Sequence, residues 1–165
     1  LTFCQEFLNQ HHGGIHNLLM SDEANFHLDG VVNKQNFRYW GAENPHELFT
    51  KNLHSLKVVV WCGVASFGII GPYFFEDESN RPVTVNSERY INMLQTFLIP
   101  ELTRRGLLNG AILFQHDGTT AHTARNTMRI LRDFFDGRII SRFGNLNWPS
   151  RSPDLTAPDF FSGDT

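Results

Sequence analysis

The residues best suited to chemistry in this chain are carboxylates brought together by folding rather than by local spacing. Asp117 closes a short apolar run beginning at Ile112, and Gly118 then opens a turn ahead of a helical pattern. In an open α/β sheet, the exits of strands are where reactive groups collect. An Asp at a strand end also has a plain turn-forming role, so the issue is whether other acids converge on it. Asp22 lies where a buried segment over 17–22 ends or bends, with Glu23 beside it. Asp159 follows Pro158, a residue suited to the first turn of a helix. Three gathered carboxylates repel one another and call for divalent cations at neutral pH. Hard oxygen donors without His or Cys favour magnesium or manganese. Two such ions about 3.5–4 Å apart activate a water or hydroxyl and steady the leaving oxygen of a phosphodiester.

The surrounding pattern supplies elements to position these acids. After the first strand, Asp29-Gly30 marks a hairpin turn, and residues 33–54 form a polar excursion with no sustained period. Lys57 to Ala65 and Ile69 to Phe75 read as two strands joined at Ser66-Phe67-Gly68. Asn86 or Ser87 can cap a helix carrying Tyr90, Met93, Leu94, Phe97, Leu98 and Leu102 on one side. Pro100 kinks that helix and Gly106 ends it. A strand over 111–116 delivers Asp117, and a helix from about Ala121 places Ala124, Met128, Leu131 and Phe135 on one face before Gly137. Arg138 to Ser141 is a short strand. Hairpins followed by crossover helices predict an α/β, ribonuclease-H-like fold: a mixed five-stranded sheet with flanking helices. The first and fourth strands then lie side by side, so Asp22 and Asp117 face each other.

Composition narrows the classes. With 165 residues, 41% apolar and 15 Phe, the chain has room for one well-filled core. A net charge of −3 does not advertise a polyanion partner, so a nucleic-acid role must rest on local features. Cys4 and Cys62 sit among apolar residues and read as buried thiols in a reducing compartment. His11, His12 and His16, with Gly13 and Gly14, read as a surface loop. The apolar stretch from Val58 to Phe75 is long enough for a membrane span, but its glycines and Pro72 divide it into strands, so no membrane role is expected.

Several motifs in order carry a family resemblance. They are Ser21-Asp22-Glu23-Ala24, Trp61-Cys62-Gly63, Gln115-His116-Asp117-Gly118 with His122, Trp148-Pro149, Ser152-Pro153-Asp154-Leu155 and Pro158-Asp159. Together they resemble the catalytic domain of mariner-type transposases, a DDE/D superfamily. The resemblance implies a ribonuclease-H-like domain over 17–161, with 1–16 the end of an upstream segment and 162–165 a truncated tail. It implies an Asp22, Asp117 and Asp159 triad that is catalytic and metal-ligating, with two Mg2+ or Mn2+ ions. Asp154 competes for the third place, but the family's third acid lies beyond it, which selects Asp159. Glu23 and His122 are supporting candidates. Arg125 and Arg129 (with Arg132) are candidate phosphate contacts, or else a solvated helix face.

The implied partner is DNA, at the terminal inverted repeats of a transposon, which the enzyme cuts and rejoins in the nucleus; a homodimer stays open. The sequence departs from the pattern in three ways. The expectation is a chain without the family's helix-turn-helix region ahead of Leu1; the loop after Asp117 reads Gly-Thr-Thr-Ala where many relatives carry a proline, and the given sequence has Ser162 to Thr165 after Phe161. A helix that short is marginal alone, so the expectation is impaired catalysis. The alternative expectation is an inactive or domesticated transposon-derived domain that binds nucleic acid.

Overall fold

The computed structural model describes residues 2–10, 17–27, 56–108 and 112–149. The acids Asp154 and Asp159, the Asp29-Gly30 turn and His11, His12 and His16 lie outside them. A six-stranded mixed sheet in the order β3-β2-β1-β4-β5-β6 organises the chain. Strands β1 (Leu18–His27), β2 (Lys57–Ala65) and β3 (Gly68–Phe74) form the antiparallel half. Strands β4 (Leu113–Gln115), β5 (Ile139–Ser141) and β6 (Leu146–Asn147) continue the sheet in parallel from β1. The fold is thus α/β and ribonuclease-H-like, with one strand more than the expected five. That sixth strand is two residues long and pairs Leu146 with Ile140. The first strand is also longer than expected, running through Asn25 and Phe26 to His27.

Apolar alternation sets the two faces of β1. Leu19 belongs to the larger core, while Leu18 and Met20 pack into a second cluster on the other side. The larger core includes Trp61, Ile70 and Phe114 from the sheet and Tyr90, Met93, Leu98, Leu131 and Phe135 from the helices. Phe114 stacks on Phe135 with ring centroids 5.0 Å apart. Fully burying such side chains contributes roughly 1.5–3 kcal/mol each, so this layer fixes the sheet that carries the acids. On the opposite face, helix α1 (Thr2–Gln10) sets Phe3 edge-on to Trp148 at 5.2 Å, and Phe7 is buried beside Leu18 and Ile140. The edge position of β3 is what tolerates Pro72, which has no amide to give a further strand.

The helices follow the sequence signals with two local departures. Asn86 caps α2 (Ser87–Met93), its side-chain oxygen accepting from the Arg89 amide at 2.8 Å. The expected kink at Pro100 takes the form of a π-helical turn over Leu94–Leu98, before α3 (Ile99–Arg104). A wider turn there makes room for a ring that would otherwise press on the carbonyl one turn earlier. Beyond Asp117, the expected single helix is divided into α4 (Thr120–Thr123) and α5 (Arg125–Phe135). Ala124 is extended, with ψ 142°, and the buried Thr127 hydroxyl donates to the Ala121 carbonyl to close the step. Cys4 is exposed and Cys62 half-buried, and both are free thiols, so the expectation of two buried cysteines is corrected. No described helix is long and apolar enough to cross a membrane.

Candidate active site

The sheet order reverses direction between β1 and β4, because β2 and β3 extend one way from β1 and β4 to β6 extend the other. Such a switch point leaves a crevice at the carboxyl ends of the parallel strands. Met20 pairs with Gln115 across it. Two residues after Met20 in β1 comes Asp22, and two residues after Gln115, just past the end of β4, comes Asp117. The expectation that the first and fourth strands adjoin is met. Asp22 shares the face of Met20, while Glu23, one residue on, shares the face of Leu19.

Glu23 and Asp117 meet through His122. The Nδ1 of His122 lies 2.5 Å from Asp117 Oδ1, and its Nε2 lies 3.1 Å from Glu23 Oε1. The His122 side chain is only 3% exposed, and its ring packs on Tyr90 with centroids 4.1 Å apart. A neutral imidazole donates from one nitrogen only, so two carboxylate contacts call for the imidazolium form. Burial alone would push the pKa of His122 down; the hydrogen bonds and charges of Asp117 and Glu23 outweigh it and hold the pKa at about 9. Asp117 responds in kind. Burial would raise its pKa, but the His122 contact and the Thr119 amide, 3.0 Å away, bring it below the ordinary carboxylate value.

His116 is the neutral counterpart. It is fully buried against Phe114 and edge-on to His122 at 5.2 Å. Burial first, and the charge on His122 second, depress its pKa to about 3. One cation is thereby confined to the ring that touches both acids. Around it, Ser21 donates to the Gln115 carbonyl at 2.9 Å, tying β1 to β4 beside the crevice.

Both acids fit a metal ligand's requirements as donors. Asp117 keeps its Oδ1 on His122 and the Thr119 amide, and its side chain is 43% exposed. Asp22 Oδ1 accepts the Glu23 amide at 2.8 Å. Among the described residues no group of three His, Cys, Asp or Glu is close enough to hold an ion; Asp159, the third acid of the sequence reading, lies outside them. Arg125 and Arg129 are exposed on α5, and Arg132 donates to the Phe143 carbonyl at 3.3 Å.

Known proteins share this fold. The chain is 29% identical over 140 residues to the Tc3 transposase of Caenorhabditis elegans, covering 84% of this chain and 37% of that protein. It matches the crystal structure of the catalytic domain of Mos1 mariner transposase with TM-score 0.65, 20% identity, and coverage of 96% of this chain and 63% of that one. It matches the Mos1 paired-end complex with the left transposon end with TM-score 0.67, 21% identity, and coverage of 96% and 44%. The chain has the fold of a mariner transposase catalytic domain. No family model matches it. It spans well under half the length of the curated transposase it resembles. Other Mos1 structures carry magnesium or manganese.

Glu23, a supporting candidate in the sequence, lies on the face of β1 opposite Asp22, and its carboxylate contacts His122. Strand alternation carried the signal, since adjacent residues on a strand cannot both face one site. His122, the other supporting candidate, is buried and bonded to the Asp117 and Glu23 carboxylates.

Proposed function

We propose that this chain is the catalytic domain of a DNA transposase that cleaves and transfers strands at transposon ends. What supports the reading is the parallel pairing of β1 and β4 at the switch point, two residues short of Asp22 and Asp117, with His122 bonded to Asp117, in a fold of the mariner catalytic type. In this reading Asp22, Asp117 and Asp159 are the catalytic, metal-ligating acids, and they would hold two magnesium or manganese ions. Bound ions would supply an activated water or hydroxyl and charge stabilisation at the leaving oxygen. The chain's own residues do the rest. His122 holds Asp117 at Oδ1, and Glu23 holds the far nitrogen of the ring. Arg125 and Arg129 offer their charges to the DNA backbone. The substrate is DNA bearing terminal inverted repeats, the site of action is the nucleus, and pairing of two ends calls for a dimer.

Metal-dependent nicking of a supercoiled plasmid tests the proposal. Magnesium or manganese should support nicking by the chain, and Asp22→Asn and Asp117→Asn should each lower it about a thousandfold, the loss expected when a ligand supplying several kcal/mol is removed. Nicking that survives either substitution would refute the assignment. DNA binding without nicking in the unsubstituted chain would favour a domesticated binding domain instead.

A further inference from the structure

We propose that Arg142 grips a backbone phosphate of the DNA strand lying at Asp117. The inference deepens the transposase reading above and rests on it. Its starting point is register. Gln115 pairs with Met20 on one side and with Ile140 on the other, all in parallel strands. Two positions beyond these three residues lie Asp22, Asp117 and Arg142. The crevice that holds two acids therefore has a guanidinium-bearing residue at the same level, on the next strand outward.

Packing confirms the proximity. A Cβ added to Gly118 would lie 3.4 Å from both Cβ and Cδ of Arg142, so the arginine stem runs along the turn that follows Asp117. The charged end does not turn back to that acid. Asp117 is ion-paired with His122, and the Arg142 guanidinium sits 5.4 Å from the centroid of the Phe143 ring. Among the described residues it makes no hydrogen bond or ion pair, and Arg142 is exposed. A guanidinium has five donors in a fork that fits phosphate oxygens, and here they are left available next to the acids.

The arginine's backbone, by contrast, is held firmly. Ser141 is fully buried; its carbonyl accepts from the Gly144 amide at 3.2 Å and from the Trp148 amide at 3.1 Å, and its hydroxyl accepts from the Phe143 amide at 3.3 Å. The Asn145 amide donates to the Ile139 carbonyl at 2.7 Å, and Arg132 of α5 donates to the Phe143 carbonyl. A surface turn tied down at this many points, with a free cation at its tip, is organised for an anion before the anion arrives. The chain carries a net charge of −3, so positive charge beside the acids has to be local. A phosphodiester backbone approaching two carboxylates needs such a counterweight.

Fluorescence anisotropy of a labelled DNA duplex, titrated over a salt series, tests this with the unsubstituted chain, R142Q and R142K. R142Q should bind roughly tenfold more weakly, as expected for one lost charged hydrogen-bonding contact. Its plot of log affinity against log salt should be shallower by about 0.9, the slope of one phosphate contact. R142K should keep the slope while losing part of the affinity, because a point charge replaces a fork. Thermal melting should be the same for all three, since the side chain is exposed. If the unsubstituted chain binds with a salt-dependent affinity that R142Q leaves unchanged in strength and slope, Arg142 is no phosphate contact and the transposase reading stands without it. If the unsubstituted chain neither binds duplex DNA nor nicks plasmid, the transposase reading fails and this inference fails with it.

Discussion

His122 holds Asp117 by one carboxylate oxygen, with Nδ1 at 2.5 Å from Oδ1. The ring itself is fixed by Tyr90 on one face and Glu23 at its far nitrogen. Outer partners of this kind orient a ligand and keep it charged, and removing them typically costs about 10–100-fold in metal affinity or activity. His122→Ala should therefore raise the magnesium concentration needed for half-maximal nicking by roughly that factor, with the fold retained. An unchanged metal requirement would show that His122 does not position Asp117.

Asp22 and Glu23 are sequence neighbours with opposite orientations, and their substitution should separate accordingly. Asp22 faces the side of Met20, whereas Glu23 faces His122. Asp22→Asn should abolish nicking at every metal concentration. Glu23→Gln should leave nicking measurable, with a weaker metal dependence like that of His122→Ala. In the double variant of Glu23 and His122 the effects should not add, since both act through one contact chain. Equal and complete loss in both single variants would place Glu23 among the ligands instead.

The two buried histidines give metal-free stability a defined pH profile. The pKa of His122 is about 9 in the fold against about 6.5 unfolded, so its contribution is complete below pH 6.5 and is lost as pH rises through 9. The shift corresponds to on the order of 3 kcal/mol. His116 runs the other way: with a folded pKa of about 3, its contribution is present above pH 6.5 and declines as pH falls toward 3. Thermal melting in chelator should peak near neutrality and fall on both sides. His122→Asn should flatten the alkaline limb and also shift the acid limb, because the His122 charge helps hold His116 neutral; an alkaline limb that persists in that variant would assign it elsewhere.

Where a signal was local, it was legible in the sequence. The β-branched run of β2, the Asn86 cap and the glycines at 106 and 137, both with positive φ, each specify their conformation within a few residues. The adjacency of β1 and β4 was legible too, because element order restricts how a hairpin and a crossover join one sheet. Other features depend on contacts made only after folding. Strand β6 has two residues and no period, and exists because Asn145 bonds Ile139 through both its amide and its side chain. The break at Ala124 reflects the buried Thr127 hydroxyl closing on Ala121. The bridge from Glu23 to His122 spans 99 positions, and no local pattern announces it.

Gly144 tests how far the site depends on the turn between β5 and β6. A Cβ placed on it would overlap the Ile139 carbonyl oxygen and lie 2.9 Å from that carbonyl carbon and 2.9 Å from the Ser141 amide nitrogen. All three are backbone atoms of β5, so no side chain can move aside to relieve the overlap. The turn or the strand has to shift, at a cost of about 1–3 kcal/mol, the range for overpacking a filled site. Ser141 and Ile139 also anchor the amides of Gly144 and Asn145, so the shift displaces Arg142 and the wall of the crevice next to Gly118. Gly144→Ala should therefore lower the melting temperature by several degrees, an amount set by the domain's size. It should also reduce duplex binding more than Phe134→Ala, a change at a partly exposed residue of α5 away from this turn. A Gly144→Ala chain that melts and binds DNA as the unsubstituted one does would mean that the turn relaxes without moving β5.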